Sequence, residues 1–237
     1  MNENFCIIIP SRIGSTRLKN KPLIDLNGQS LIQRVYKNAA LISRESYIAT
    51  DSELIKDNLK KITKNVIMTS ENHISGTDRI CEAASKLKIK DDTLILNLQG
   101  DEPFIPKDLL FKLIDKFFSL SCDVITVSNQ PVSGDDLTNP NCVLVEVDEN
   151  NYATRFSRFN ELDNPKRHVG IYGYSFKTLK KLVKLKPTKN ELKNRLEQLR
   201  FIENGFSIYV SNYDKEIPNG IDTYDDVENA NIYLTNK

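Results

Sequence analysis

The sequence predicts an α/β protein built around a mostly parallel sheet. Two observations lead to this fold class and to a single domain. Short apolar runs alternate with amphipathic segments along the chain, which is the pattern of consecutive βαβ units. The 237 residues contain no internal repeat, low-complexity tract or clear linker, so we expect a single domain over residues 1–237.

Composition narrows the class of protein. Hydrophobic residues make up 39% of the chain and charged residues 27%, which allows a sizeable core. Lys and Arg number 33 against 32 Asp and Glu, a formal net charge of +1, and this disfavours a globally basic nucleic-acid binder. Apolar runs are a few residues long, far short of the roughly 20 that a membrane span needs. The N-terminus shows no secretory signal pattern.

Strands are predicted where short apolar runs are bounded by polar or turn residues. The first run, Phe5–Ile9, is apolar throughout, as expected of a strand buried on both faces of a sheet. Thr93–Leu98 is a second such run and ends directly at Gln99. The other predicted strands are Tyr47–Ala49, Val66–Met68, Val124–Val127, Cys142–Val147, Val169–Tyr174 and Phe206–Val210.

Helices are predicted where apolar residues recur every three or four positions. The first stripe, from Leu31 to Ile42, follows Ser30, a residue favoured at helix N-termini. The last helix is expected to open at Asp222. The other stripes are Leu54, Leu59 and Ile62; Ile80, Ala83, Ala84 and Leu87; Leu109, Leu110, Leu113, Ile114 and Phe117; and Leu192, Leu196, Leu199 and Ile202, on one helix that ends before Gly205.

Cysteine and histidine usage argues against disulfides and zinc. The four cysteines show no CxxC spacing and lie in apolar patterns, so we expect buried, reduced thiols, which suit a reducing compartment. The two histidines, His73 and His168, are too far from these cysteines in sequence to assemble a zinc motif. The cysteines are Cys6, Cys81, Cys122 and Cys142.

A basic loop follows the first predicted strand. Residues 10–21 read PSRIGSTRLKNK and carry four cations, Arg12, Arg17, Lys19 and Lys21, among small residues. Small residues let backbone N–H groups approach a polyphosphate, and the cations offset its charge. The loop has neither the GK[ST] of a Walker loop nor a GxG, so the two commonest phosphate motifs are excluded. A solvated surface loop is the alternative interpretation.

Two acids are candidates for a magnesium site. Asp101 follows a buried strand, where ligands of open parallel sheets bind, and Asp222 is a second carboxylate before the last helix. Magnesium prefers one or two carboxylates together with phosphate oxygens and water. The alternatives are that Asp101 caps the helix after Pro106 and that Asp222 is an ordinary N-cap.

Three further polar strings are candidates with ordinary structural alternatives. The segment Ser75–Arg79 suits an anion or base contact, or is an ordinary helix start. His168 and Tyr172 share one strand face with Gly170, so both can contact a ligand. The alternative is that they are core or rim residues. Glu197 and Gln198 lie on a predicted helix and are a further candidate pair. The alternative is that both are ordinary exposed surface residues.

Taken together, these strings resemble the CMP-Kdo synthetase family (3-deoxy-manno-octulosonate cytidylyltransferases). The matching segments are IPSRIGSTRLKNKPL, ATD, SGTDR, NLQGDEP, FSR, RHVGIYGY, LEQLR and GIDTYDD, in the family's order from Ile9 to Asp226. The resemblance implies a three-layer fold of the nucleotide-diphospho-sugar transferase type. It also implies a cytoplasmic homodimer paired through an excursion within residues 129–190.

The reaction implied by the resemblance joins CTP to a 3-deoxy-2-ulosonic acid, Kdo first among them. It gives CMP-sugar and pyrophosphate with Mg²⁺, for lipopolysaccharide or capsule synthesis. By similarity, Arg12, Lys21, Asp101 and Asp222 are catalytic, the two aspartates as metal ligands. The resemblance further assigns the nucleotide to Pro10, Ser11, Arg12, Arg17, Lys21, Ser75, Gly76 and Thr77, and the sugar to Arg79, Gln99, His168, Tyr172, Glu197 and Gln198.

Two departures from the family pattern stand out. Lys19-Asn20 replaces a usual Pro-Gly, and Asn tolerates left-handed backbone, so the turn can survive. Phe159–Lys166 is short and acidic where relatives have an Ile-Pro-aromatic-Arg segment. Another 2-keto-3-deoxy sugar acid is therefore an alternative substrate, and so is an 8-amino sugar, whose amino group Glu161 or Asp163 would favour. A non-catalytic nucleotide-binding module is the alternative from a different class.

Overall fold

A nine-stranded sheet forms the centre of the computed structural model, which describes residues 4–14, 17–129, 137, 139, 141–159 and 161–236. Strands β2 and β3 form a separate two-stranded hairpin. The strands are β1 Phe5–Ser11, β2 Asp25–Leu26, β3 Gln29–Ser30, β4 Ser46–Thr50, β5 Val66–Met68, β6 Leu94–Leu98, β7 Val124–Asn129, β8 Leu144–Val147, β9 Ala153–Ser157, β10 Lys166–Ser175 and β11 Ile208–Tyr213.

Helices connect most of these strands, and a 3₁₀ turn at Lys21–Leu23 follows the basic loop. No helix in the described part of the chain is both long and apolar enough to cross a membrane. The helices are α1 Leu31–Ala40, α2 Glu53–Leu59, α3 Gly76–Lys86, α4 Lys107–Ser119, α5 Phe176–Leu182, α6 Lys189–Asn194, α7 Glu197–Glu203 and α8 Tyr224–Thr235.

The main strand order is β11-β7-β10-β6-β1-β4-β5. Neighbours pair in parallel except at β10, which runs antiparallel to both β6 and β7. Strands β8 and β9 extend the sheet as an antiparallel pair beside β10. The predicted α/β class with a mostly parallel sheet is therefore confirmed.

Two apolar clusters cover opposite faces of this sheet. Along β1, Ile7 and Ile9 belong to one cluster, whereas Cys6 and Ile8 belong to the other, because successive strand residues point to opposite faces. Helices α1, α4 and α8 contribute to the first cluster, and α3, α5 and α7 contribute to the second. The fold therefore has three layers, and the buried strand β1 lies in the middle one.

Several element predictions need correction. The helix predicted to run from Leu192 to Ile202 is two helices, α6 and α7, because Arg195 between them adopts left-handed backbone at φ 55°. Helix α2 ends at Leu59 and buries Ile55, while Leu54 is exposed. The hairpin β2–β3, strand β9 and helix α5 have no counterpart among the predicted elements.

The thiol prediction is confirmed in part. All four cysteines are free, but only Cys6 is fully buried. Burial raises the pKa of the Cys6 thiol to about 12, so it stays protonated. Cys142 precedes β8 rather than lying inside it.

Candidate active site

The candidate site lies at the edge of the sheet where β1 and β6 end, because parallel strands deliver their carboxyl ends to one side. Gly100, just past β6, lies against the end of β1. A Cβ added there would lie 2.9 Å from the carbonyl oxygen of Pro10, so only glycine fits without movement. The basic loop and Asp101 are thereby held next to each other.

One ammonium group joins the two predicted aspartates. Lys21 Nζ lies 2.6 Å from Asp101 Oδ2 and 2.8 Å from Asp222 Oδ1. Burial of Lys21 opposes its charge, but the attraction and hydrogen bonds of both aspartates outweigh it, so its pKa is raised. For Asp222, burial is likewise outweighed by Lys21 and Arg17, and its pKa is lowered. Lys21 and Asp222 are thus both held in their charged forms.

The chain around Asp222 explains why its carboxylate faces Lys21 and does not cap the last helix. The expectation that Asp222 opens the last helix is wrong, since Thr223 is the N-cap and forms a capping box with Asp226. The Asp222 backbone N–H also donates to Asp226, at 2.9 Å, and Ile221 N–H donates to the Asp101 carbonyl, at 2.9 Å. Asp101 likewise is not a cap of α4, whose N-cap is Pro106 with no side-chain hydrogen bond.

The turn that delivers Lys21 depends on Asn20. This residue has φ 52° and ψ 33°, in the left-handed region, immediately before the 3₁₀ turn. The expectation that Asn maintains the turn in place of Pro-Gly is confirmed. Left-handed backbone is less costly for Asn than for most other residues with a side chain.

A first cavity of about 320 Å³ opens between the basic loop and the start of α3. The Ser11 Oγ atom in its wall is buried without a hydrogen-bond partner among the described residues, as expected of a hydroxyl that a ligand satisfies. The predicted residues that line this cavity are Pro10, Ser11, Arg12, Arg17, Lys21, Ser75, Gly76, Arg79, Gln99, Asp101 and Asp222. Ser15 and Thr16 of the loop lie outside the described residues.

Helix α3 closes the first cavity with a fixed N-terminus. Ser75 caps the helix in a capping box with Asp78. Arg79 is 2% exposed, and its guanidinium pairs with Asp51 at 2.5 Å. Arg79 was assigned to the sugar by resemblance, but it lines this cavity rather than the one that contains His168.

His73 is a first-cavity residue that the sequence reasoning missed. Its Nε2 atom contacts the Glu82 carboxylate, which also accepts from Ser70 N–H at 2.9 Å and pairs with Lys86 at 2.7 Å. Burial opposes the charge of Glu82, but these hydrogen bonds outweigh it and lower its pKa to about 2. The Ser70–His73 segment is thereby tied to α3.

A second cavity of about 660 Å³ adjoins the first and shares Gln99, Asp101 and Asp222 with it. His168, Tyr172 and Gln198, which the resemblance assigns to the sugar, line it. The rings of His168 and Tyr172 lie 5.4 Å apart between centroids, which confirms that the two share a strand face. Arg158, Arg167, Arg195 and Glu102 also line the second cavity and were not among the predicted site residues.

His168 is held as a neutral ring. Burial, reinforced by the charge of Arg158, lowers its pKa to about 3. Its Nε2 atom lies 2.9 Å from Thr126 Oγ1, and its ring stacks edge-on against Phe156 at 5.2 Å between centroids. A neutral imidazole fixed in this way can exchange hydrogen bonds with a ligand without adding charge.

Glu197 and Thr77 contact each other and are not among the described residues that line the two cavities. Thr77 Oγ1 donates to Glu197 at 2.5 Å, and Arg200 donates to the same carboxylate at 3.0 Å. Burial raises the pKa of Glu197. The pair joins α3 to α7, so its direct contact with ligands stays a prediction.

Neither acid of the short segment supports an amino-sugar substrate. Glu161 accepts a hydrogen bond from Ser157 Oγ at 2.8 Å. Glu161 and Asp163 are both exposed, and neither is among the described residues that line the second cavity.

The donor chemistry at the junction of the cavities fits a magnesium ion. Two carboxylates on separate segments approach one cation, Lys21, and both border each cavity. No group of three or more His, Cys, Asp or Glu that could hold a metal occurs in the described ranges, at this junction or away from it, so the protein offers the ion two carboxylates here. Two hard oxygen ligands with room for phosphate and water are what Mg²⁺ prefers.

Comparison with known proteins gives a consistent family. A family model described as cytidylyltransferase matches residues 6–217. A 3-deoxy-manno-octulosonate cytidylyltransferase of Francisella tularensis subsp. novicida is 40% identical, with 95% of this chain and 96% of the relative covered.

Two solved structures are also similar. A CMP:2-keto-3-deoxy-manno-octonic acid synthetase complexed with CTP shares 31% identity and a TM-score of 0.89, with 98% of each chain covered. A glucose-1-phosphate thymidylyltransferase from Bacillus anthracis shares the fold at a TM-score of 0.70 and 13% identity, over 98% of this chain and 96% of that one.

Proposed function

Because this chain belongs to the CMP-Kdo synthetase family of cytidylyltransferases, we propose that it activates Kdo with CTP and releases pyrophosphate. The product is CMP-Kdo, a precursor for lipopolysaccharide or capsule synthesis. One observation carries the assignment of the site: Asp101 and Asp222 meet at a single ammonium where two cavities join.

The first cavity receives the nucleotide. The backbone and small residues around Ser11 and Gly14 allow close approach of a triphosphate, and Arg12, Arg17 and Lys21 oppose its charge. The capped N-terminus of α3 at Ser75 and Gly76 lies across the cavity from this loop and is assigned to the base side of CTP.

The second cavity receives the sugar acid. The reacting groups are the anomeric hydroxyl of Kdo and the α-phosphorus of CTP. The hydroxyl gives up its proton to solvent and its oxygen attacks in line. A new C–O–P link forms, and the bond from the α-phosphorus to the β-phosphate oxygen breaks with pyrophosphate as leaving group. His168, Tyr172 and Gln198 orient the sugar, and Gln99 borders both reactants because it lines both cavities.

Charge is the main obstacle to this reaction. Two unit charges 4 Å apart repel by about 4 kcal/mol at an effective dielectric of about 20, and both reactants are anions. Lys21 lies at the junction, where it offsets negative charge as the bond to the leaving group breaks. Asp101 and Asp222 would hold Mg²⁺. When bound, this ion favours ionisation of the sugar hydroxyl and offsets phosphate charge.

A pyrophosphate-release assay tests the function directly. The purified protein is assayed with CTP, UTP, ATP and GTP, each against Kdo, 8-amino-8-deoxy-Kdo and a nonulosonate, with Mg²⁺ or with EDTA. We expect turnover with CTP and Kdo that EDTA abolishes and Mg²⁺ restores. Equal turnover of the nonulosonate would contradict the substrate, and no turnover with any pair would favour the non-catalytic alternative.

Assembly and location complete the proposal. We place the enzyme in the cytoplasm, which the four free thiols suit, as a homodimer that pairs within residues 129–190. Phe159 in that region is 62% exposed, as an interface residue would be in an isolated protomer. Light scattering of the purified chain tests the dimer, and a monomeric mass at micromolar concentration would contradict it.

A further inference from the structure

The turn between α6 and α7 carries an arginine in a costly conformation. Arg195 has φ 55° and ψ 46°, and its backbone N–H closes α6 on the Glu191 carbonyl. Left-handed backbone is unfavourable for a residue with a long side chain, and such strain persists where the surrounding structure requires it. Helix α6 ends at this position and α7 begins at Glu197, and Leu196 and Gln198 line the second cavity.

The Arg195 side chain also lines this cavity. Among the described residues its guanidinium has no hydrogen-bond or ion-pair partner. It lies close enough to Arg158 for their repulsion to contribute, after burial and Arg17, to the lowered pKa of Arg158. Arg195 therefore presents a positive charge to the cavity that forms no ion pair with the described side chains.

None of the five acids that line the second cavity forms an ion pair with Arg195, and for Glu102 and Asp225 no ion pair is formed within the described residues. Asp101 and Asp222 share Lys21, and Asp226 accepts hydrogen bonds from the backbone N–H groups of Asp222 and Thr223. An anion of the ligand is thus the group that would complement Arg195. Since Arg195 lines the cavity of His168 and Tyr172 and not that of Ser75 and Gly76, the sugar is the source of this anion.

Building on the proposed function, we propose that Arg195 binds the carboxylate of the 2-ulosonic acid and sets the preference of the enzyme for acidic sugars. The residue precedes the LEQLR string and belongs to none of the segments that carry the family resemblance. Arg195 acts on the bound sugar and leaves the nucleotide cavity unchanged.

The test measures steady-state constants of Arg195→Gln with Kdo and CTP varied separately. We expect KM for Kdo to rise at least about tenfold, as for loss of a charge-assisted hydrogen bond, while kcat and KM for CTP stay within about twofold. Arg195→Lys, which keeps the charge, is expected to recover part of the loss. Lys193→Gln, at an exposed cation two residues earlier on α6, is the matched control and is expected to behave as wild type.

A second substrate isolates the carboxylate. Wild type is expected to bind the neutral 1-carboxamide of Kdo more weakly than Kdo itself. Arg195→Gln, which has already lost the contact with the carboxylate, is expected to bind Kdo and the carboxamide with similar affinity. Arg195→Gly removes the side chain at a position where glycine is favoured, so it is expected to keep or raise Tm while losing Kdo affinity. This variant separates ligand binding from folding.

Each contrary outcome is decisive. Unchanged steady-state constants in Arg195→Gln would overturn the assignment. So would an equal loss of affinity by wild type and Arg195→Gln when Kdo is replaced by its carboxamide. A rise in KM for CTP instead of Kdo would assign the guanidinium to the triphosphate and also overturn it. Failure of wild type with every ulosonic acid would refute the proposed function itself, whereas wild-type turnover with unaltered variants refutes only the role of Arg195.

Discussion

Lys21 shows how one side chain links two distant parts of the chain. It is separated from Asp101 by 80 residues and from Asp222 by 201, yet its ammonium contacts both carboxylates. Positions of this kind follow from where strands end rather than from local propensity. The residue types at the site could be predicted from sequence, because a basic loop and strand-terminal acids signal phosphate and metal chemistry. Their pairing through one lysine could not.

We expect Asp101→Asn to reduce kcat at least about 100-fold, because one of the two carboxylates proposed to hold Mg²⁺ is lost. Lys21 keeps Asp222 as a partner at 2.8 Å, so the free energy of unfolding should change by less than about 1 kcal/mol. Steady-state kinetics and urea unfolding check both expectations. Asp57→Asn, at an exposed helix acid paired with Lys60, is the control. Full activity of Asp101→Asn would exclude the metal role.

The neutral state of His168 predicts a pH dependence of stability. Its folded-state pKa is lowered to about 3, so below about pH 6.5 the unfolded chain binds the proton more readily. Stability is therefore expected to fall by about 1.4 kcal/mol per pH unit as the pH decreases towards 3. His168→Gln should lack this component. Urea unfolding of both proteins at pH 7, 6, 5 and 4 measures it, and parallel profiles would contradict the expectation.

At the level of elements, strand cores were predicted more closely than helix ends. Val66–Met68 was predicted with its observed bounds, because polar residues on both sides of a short apolar run fix where the strand begins and ends. The break at Arg195 was missed since the apolar spacing from Leu192 to Ile202 continues across it, and only a left-handed residue interrupts the helix. The cap at Thr223 was missed because Asp222 is an equally good N-cap by residue type.

The cap of α8 offers an element-scale prediction. Thr223→Ala removes one half of its capping box and should cost about 1 kcal/mol of stability. It should also lower kcat, because Asp226 then loses one of the contacts that hold the Asp222 backbone. Ser30→Ala removes the cap of α1 and is expected to lose similar stability with normal kcat. Equal kcat in both variants would show that the α8 cap does not position Asp222.

At the scale of the whole molecule, the residues that stabilise the fold and the residues of the candidate site occupy different parts of the sheet. Apolar clusters cover both faces, while the polar residues gather at one edge of the sheet, where β1 and β6 end. The fold class could be predicted because alternation of apolar runs reports this layering directly. The strand order could not, since β10 lies between β6 and β7 against the order of the chain.

Gly173 tests how tightly β10 is packed in the middle of the sheet. A Cβ there would lie 2.7 Å from Ile125 Cγ2 and 3.1 Å from Leu96 Cδ2, so Gly173→Ala should cost about 1–3 kcal/mol through overpacking. At Gly170 on the same strand the added methyl would meet Gln99 Cγ at an ordinary 3.6 Å. Gly170→Ala should therefore unfold at nearly the wild-type urea concentration. A similar midpoint for both variants would contradict the packing argument.

The reversed direction of β10 has a consequence for how the substrate preference of this enzyme can diverge. The strand enters the sheet at the reactive edge, with Arg167 opposite Asn129 and His168 opposite Ser128, and leaves it towards α5. Residues inserted or deleted just before Lys166 would therefore change the rim of the second cavity, which we propose binds the sugar, without shifting the register of the buried strands. Substrate preference can therefore change at this position while the packing of the buried strands is kept.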